Sequence, residues 1–530
     1  MTSASSPNRV RSAEIVASLC LATDLGMGFP LEHGFRATLI ATRLADLMGL
    51  GPENKRLAYY ACLLTYVGCT SDAHEGSEIF GGHQTDNVIP HLFGSRAELA
   101  RGVLRALPPP EAHGARRALE IVRRAPRALL SNSTHQRALC EVAEAMSDRL
   151  GLPHELSEMF RFLTERWDGK GWLRRAREDE IPLPLRVSEL SRDVAFQTMI
   201  GGNGHAVETI ASRAGRAFDP EIVATFVANA EEVLDSGRPT EDTWNQVLQA
   251  EPTPHLGLEG PAIDAALAAM ADFSDLLGPS LTGHSSGVAR LTERAAEIAG
   301  FDDREVAQMR RAAMVHDIGR VSVDPSVWEK PGPLTRDEME QVRLHPYHSE
   351  RILAQSPFLA DLASAASCHH ERLDGSGYHR GMTAKTLDHP ARLIAATDTL
   401  HALTEPRSYR DPLPSADASG IVVEQANSGL LDPAMVRCAV EALGEPSPEV
   451  DNPSGLTDRE IEVMSLLARG LQTKQMARRL EISAKTVDTH IQAAYRKIGV
   501  STRAAATLFA MEHGLVGSGE FPMAGRRPRP

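Results

Sequence analysis

The sequence predicts an all-α chain: two tandem helical domains followed by a small four-helix domain. Three observations predict it. Apolar residues recur at helical spacing among Ala, Leu, Arg and Glu, as in Glu293 to Ile298 and Val436 to Leu443, while aromatic residues make up only 5% of the chain. At 530 residues the chain is too long for one core and suits three or four domains of roughly 150 residues. Composition shifts twice, at Ser236 to Pro261, rich in Pro, Gly and Thr, and at GEPSPEVDNPSG from Gly444 to Gly455. The expected division is a first domain over 1–235, a linker over 236–262, a second domain over 263–443, a linker over 444–455, a third domain over 456–515 and a flexible tail over 516–530.

Composition excludes several classes. With 42% hydrophobic and 24% charged residues the chain falls in the globular range. No run reaches the roughly 18 apolar residues of a membrane span, and Asp24 interrupts the most apolar N-terminal stretch, so neither an anchor nor a signal peptide is expected. The six cysteines lack paired spacing, which argues against disulfide frameworks and zinc ribbons and points to a reducing cytoplasm. The formal charge is −14, yet residues 456–530 hold twelve Lys/Arg against seven Asp/Glu. Only this end suits nucleic acid electrostatically.

The two large domains read as a duplication. His33 stands 32 residues before Thr65 in ACLLTYVGC, and His284 stands 32 before His316 in AAMVHDIGR. LTERWDGKGW from Leu163 then aligns with HHERLDGSGY from His369, PLRV at Pro184 with PARL at Pro390, and FDP at Phe218 with LDP at Leu431. The first copy carries an insertion of 45 residues, since His33 to Glu165 spans 132 and His284 to Glu371 spans 87.

The second copy gathers His284, His316, Asp317, His345, His369, His370 and Asp398, the nitrogen and carboxylate donors that first-row transition metals favour. A lone histidine is usually a surface or satisfied core residue. The pairs His316-Asp317 and His369-His370 differ, because each follows an apolar run, AAMV or ASAASC, where burial without a partner is costly. Seven donors suffice for two ions sharing a carboxylate. Two such ions, about 3.5–4 Å apart, hydrolyse phosphoesters by in-line displacement.

From Ile263 to Leu443, through HDIGR, KPGPLT, HPYHSERIL, HHERLDGSGYH and ATDTLHALTEPRSYR, the second copy resembles the HD-superfamily phosphohydrolases, and within them the HD-GYP domains that hydrolyse cyclic di-GMP. The resemblance implies two divalent transition metal ions, iron or manganese. One would be held by His284, His316, Asp317 and Asp398, the other by bridging Asp317 with His345, His369 and His370. It also implies phosphate contacts from Arg320, Arg407 and Arg410. The chain departs from the family pattern at Arg320, which replaces a lysine, at His379, which replaces the proline of GYP, and at Ser408, which replaces a proline. Ser280 stands where some members place a further acidic ligand, so two metals rather than three are expected. The first copy has Thr65-Tyr66, Leu163-Thr164 and Arg192 at the ligand positions and keeps only His33. It cannot assemble a dimetal cage, and reads equally as a degenerate sensor or dimerisation domain and as a scaffold without a ligand.

In the third segment Thr457 can cap a helix with Glu460 three residues on, Gly470 suits its end, and a second helix covers about Thr473 to Leu480. Ser483 caps a third helix whose Val487, Ile491, Ala494 and Ile498 form one apolar stripe. Its other face shows Lys485, Thr486, Thr489 and His490, then Arg496 and Lys497. This is a helix-turn-helix layout for the major groove. Lys485, Thr489 and His490 are placed to reach bases or phosphates; Lys474, Arg496 and Lys497 suit phosphates. Through LTDRE, MARRLEIS, AKTVDTH and YRKIGVSTR the segment resembles LuxR-type DNA-binding domains, which implies double-stranded DNA as partner and a homodimer on paired half-sites. The reading this supports is a cytoplasmic transcription regulator whose HD-GYP-like domain binds or hydrolyses a phosphorylated nucleotide such as cyclic di-GMP. Two rivals stay open: a phosphodiesterase that acts mainly as an enzyme, and a regulator that binds an effector without hydrolysing it.

Overall fold

The computed structural model describes residues 9–70, 79–80, 88–109, 112–444 and 453–516. Most of the linker expected at 444–455, and the tail from 517, lie outside the described residues. By contacts the chain forms two compact units, Met1–Ile263 and Asp264–Pro530. Among the described residues the structure is helical apart from one two-stranded sheet and short 3-10 turns.

In the first unit, helices His33–Leu47, Pro52–Leu64 and Leu183–Ser212 pack together around Ile40, Leu44, Val187, Leu190, Val194 and Phe226. Helices Arg96–Ala106 and Gly114–Arg149 lie between Thr65 and Leu163, the interval that is longer in the first copy. Residues 236–262, expected as a linker, are instead folded. Trp244, Val247 and Leu248 repeat at helical spacing within the Pro- and Gly-rich stretch and are buried by helix Thr243–Ala250. Glu251 then accepts from Tyr60 Oη at 2.7 Å and pairs with Arg11 at 2.5 Å. Strand Gly257–Glu259 lies antiparallel to Arg9–Arg11, with Arg9 opposite Glu259.

In the second unit, helix His284–Ala299 packs against Asp303–Val315, His389–Thr404 and Pro433–Leu443 around Leu291, Met309, Leu393, Leu400 and Val436. The same local devices recur in both copies. Each first histidine opens its helix directly after a residue with positive φ, Glu32 at 72° and Gly283 at 78°. A carboxylate nine residues upstream of that histidine, Asp24 or Asp275, accepts from the backbone nitrogen of Gly34 or Ser285. Arg186 pairs with Asp219 at 2.6 Å and Arg392 with Asp432 at 2.9 Å, each aspartate also capping the helix that follows it.

The last four helices, Asp458–Ala468, Thr473–Arg479, Ala484–Ile498 and Arg503–Glu512, enclose Val463, Met464, Leu467, Met476, Val487, Ile491 and Ala494. The expected capping box of Thr457 with Glu460 forms, and Gly470 follows the first helix at φ 79°.

Candidate metal centre and nucleic-acid interface

Four helix ends and one helix interior bring the seven donors together. His284 starts its helix; His316 and Asp317 follow the last turn of Asp303–Val315; His345 opens His345–Leu353; His369 and His370 follow Pro357–Ser367; and Asp398 lies inside His389–Thr404. Helix termini leave backbone carbonyls without helical partners, and three imidazoles use them. Nδ1 of His316, His345 and His369 bonds the carbonyls of Ala313, Val342 and Ala366 at 2.7, 2.6 and 2.7 Å. His284 Nδ1 instead meets Glu405 Oε2 at 2.7 Å. Each ring is thereby turned so that Nε2 faces the centre, the second sphere expected around histidine ligands.

Asp317 occupies the middle. Its Oδ2 lies 2.9 Å from His316 Nε2 and 3.4 Å from His284 Nε2, while its Oδ1 lies 3.2 Å from His345 Nε2 and 3.4 Å from His369 Nε2. Asp398 joins the first set, 3.1 Å from His284 Nε2. His370 completes the second and is the most exposed of the donors, its side chain 20% accessible where the others are nearly sealed. One carboxylate therefore faces two donor sets. Both Asp317 oxygens and His316 Nε2 are buried without a hydrogen bond of acceptable geometry, and His345 and His369 point Nε2 at each other at 3.1 Å. The unpartnered oxygens of Asp317 and the facing nitrogens of His345 and His369 fit divalent cations.

The electrostatics divide along the same line. Burial favours the neutral acid at Asp317, but Arg320 and His316 hold it well below the ordinary carboxylate range; burial opposes charge at Asp398 as well, and His284 and His316 lower it. Burial opposes protonation of His284, yet Glu405 outweighs it and the imidazole is pushed up to about 10. On the other side burial lowers His345 to about 4, and burial with His369 holds His370 well below its usual value. Those rings are neutral, the form that ligates metal.

The arginines separate. Arg320 is buried, ion-paired with Asp317 and stacked over Trp328 at 5.4 Å. Arg407 sits behind His284, donating to Glu405 at 3.1 Å and to the Ser280 carbonyl at 3.3 Å. Arg410 is not brought to the site: its guanidinium donates to the carbonyls of Ala402, Leu403 and Asp411 and thereby caps the end of helix His389–Thr404. Glu405, which orients His284 and also meets His401 Nε2 at 3.2 Å, was not singled out from the sequence. Its only signal was a place seven residues beyond Asp398.

In the first copy the centre is filled differently. Arg192 pairs with Glu189 at 2.9 Å and lies over the Tyr66 ring at 5.1 Å, while Thr164 is bonded to Gln136. Burial, with Arg36 and Arg192, depresses His33 to about 3. A fixed guanidinium stands where a cation would have to bind.

At the C-terminal end, Lys485, Thr486, Thr489 and Arg496 are exposed and His490 is half-buried on helix Ala484–Ile498, whose start is capped by Ser483. Lys474 is exposed on the preceding helix. Lys497 is otherwise engaged: Nζ pairs with Glu460 at 2.6 Å and bonds the Gly455 carbonyl.

Residues 270–435 match the HD domain family, and residues 454–510 match the bacterial regulatory proteins of the luxR family. The chain thus joins an HD domain to a LuxR-type helix-turn-helix domain. It is 27% identical over 452 residues to the 3'3'-cGAMP-specific phosphodiesterase 3 of Vibrio cholerae, covering 81% of this chain and 94% of that protein. It is 34% identical over 155 residues to a cyclic di-GMP phosphodiesterase of Thermotoga maritima, 29% of this chain and 42% of that one. A solved cyclic GMP-AMP specific phosphodiesterase from V. cholerae superposes with a TM-score of 0.57 at 24% identity, over 83% of this chain and 99% of that one, which establishes the shared fold.

Proposed function

We propose that the chain is a metal-dependent phosphodiesterase acting on a 3'3'-cyclic dinucleotide, and that its LuxR-type domain binds double-stranded DNA as a homodimer, so that nucleotide turnover and transcription are joined in one molecule. The observation that carries the reading is Asp317, one carboxylate facing two separate donor sets. His284, His316, Asp317 and Asp398 would hold one ion, and Asp317, His345, His369 and His370 the other. Two divalent ions, iron or manganese, would supply Lewis-acid charge to the phosphodiester and to its attacking water. The protein's own part is orientation: backbone carbonyls and Glu405 fix the imidazoles, and burial keeps bulk water from the ligands. Arg320 is fixed beside Asp317 and would offer a permanent positive charge to the phosphate.

The test compares Asp317→Asn with wild type after anaerobic loading with iron or manganese. Removing the bridging charge is expected to lose at least one metal per chain and to lower turnover of 3'3'-cGAMP and cyclic di-GMP at least tenfold. The effector-binding reading draws support from Arg320, whose ion pair occupies an oxygen that the first metal needs. Two metals bound with no hydrolysis of either dinucleotide or of a simple phosphodiester would select it.

A further inference from the structure

The loop Pro279–Gly283 leads into His284, the first metal ligand, and the helix-turn-helix domain packs directly on it. Thr282 Oγ1 lies 3.4 Å from the Ala468 carbonyl at the end of the first helix of that domain. Gly470 abuts Pro279 so closely that a Cβ there would fall 2.6 Å from the proline ring, and a Cβ on Gly283 would lie 3.7 Å from Val516. Between these contacts is a small pocket shared by Ser280, His401, Glu405 and, from the DNA-binding domain, Arg469. Glu405 is the carboxylate that orients His284.

We infer that Arg469 is a positioning residue of the metal centre: the DNA-binding domain completes the surroundings of the first metal through Glu405, and metal occupancy and DNA binding are thereby coupled. The inference rests on the metal reading above. Glu405 gives one oxygen to His284 and Arg407 and the other to His401. A guanidinium delivered from the neighbouring domain adds charge that fixes this carboxylate, and through it the ring that must present Nε2 to the metal. A movement of the helix-turn-helix on DNA would withdraw Arg469 and shift Pro279–Gly283 together, since both belong to one joint. Coupling of this kind is reciprocal, so what DNA does to metal affinity, metal does to DNA affinity by the same factor.

The experiment is a calorimetric Mn²⁺ titration of the metal-stripped full chain, wild type, Arg469→Ala and Arg469→Lys, each with and without mixed-sequence double-stranded DNA. Melting curves of the stripped proteins check that the variants fold. Arg469→Ala is expected to weaken the tighter Mn²⁺ site on the order of tenfold, Arg469→Lys to restore most of the loss, and DNA to shift the wild-type affinity but not that of Arg469→Ala. Titrations that coincide for wild type and Arg469→Ala, or a DNA shift of equal size in both, would overturn the coupling while leaving the metal centre standing. A wild-type chain that binds no Mn²⁺ would overturn both readings.

Discussion

Asp275 accepts from the backbone nitrogen and the hydroxyl of Ser285, both at 2.8 Å, and so ties helix Pro261–Asp275 to the start of the helix that carries His284. Burial raises its pKa to about 7, against the lowering pull of His284 and Arg320. A folded-state value above the unfolded one means that the native state holds the proton more tightly. The group's contribution is greatest in acid and falls as pH rises through about 7. Asp275→Asn keeps an acceptor and cannot ionise. Its stability relative to wild type is therefore expected to increase from about pH 4 to about pH 7 and then level off, in urea unfolding of the metal-stripped chain. Asp275→Ala leaves a buried N–H unpaired and is expected to cost about 1–3 kcal/mol. At this scale the seven candidate donors were legible because histidine and aspartate beside apolar runs have few other uses. Arg410 was not: a guanidinium serves a phosphate or a helix's last carbonyls equally well, and the choice depends on which lies within reach.

Among the elements, the duplication was readable because paired motifs keep their order, and the paired devices at Asp24 and Asp275 and at Arg186 and Arg392 give it a physical basis. What fills the first copy's centre was only partly readable. Arg192 at the place of Asp398 excluded the cage, but its ion pair with Glu189, three residues away on the same helix, needed the fold. Arg192→Ala strands a buried carboxylate and is expected to destabilise the first unit by about 3–5 kcal/mol in denaturant unfolding, with no effect on bound metal. An isolated fragment of residues 1–263 is expected to purify helical and without stoichiometric transition metal by elemental analysis. Residues 243–259 teach a complementary lesson. Pro252, Pro254 and Gly257 gave the stretch a linker's composition, while just before them Trp244, Val247 and Leu248 recur at helical spacing and are buried in one short helix.

For the whole molecule the question is how one chain addresses both a nucleotide and DNA. Lys485 and His490 lie on the outward side of helix Ala484–Ile498. Replacing both with Ala is expected to abolish sequence-specific binding without changing helicity or metal content, measured by fluorescence anisotropy on a selected operator. Arg496→Ala is expected to weaken all sequences alike and to reduce the salt slope by about one. Lys497→Ala belongs to a different class, because its ion pair with Glu460 braces the capping box of the first helix; its effect is expected chiefly in the melting of this domain. No described helix is long and apolar enough to cross a membrane.

The sequence by itself determined the helical class, the duplication, the seven histidines and aspartates that cluster and the helix-turn-helix, since each is written in local spacing and side-chain chemistry that survive in an unfolded string. Tertiary structure decided which partner each charged group takes. It gave Asp317 to both donor sets, Glu405 to His284, Arg410 to a helix end, Lys497 to Glu460 and Arg469 to the pocket beside Glu405. The reason is that an ionic side chain's chemistry is the same for many partners, and only packing across distant segments brings one of them within a few ångströms and removes the water that would otherwise compete.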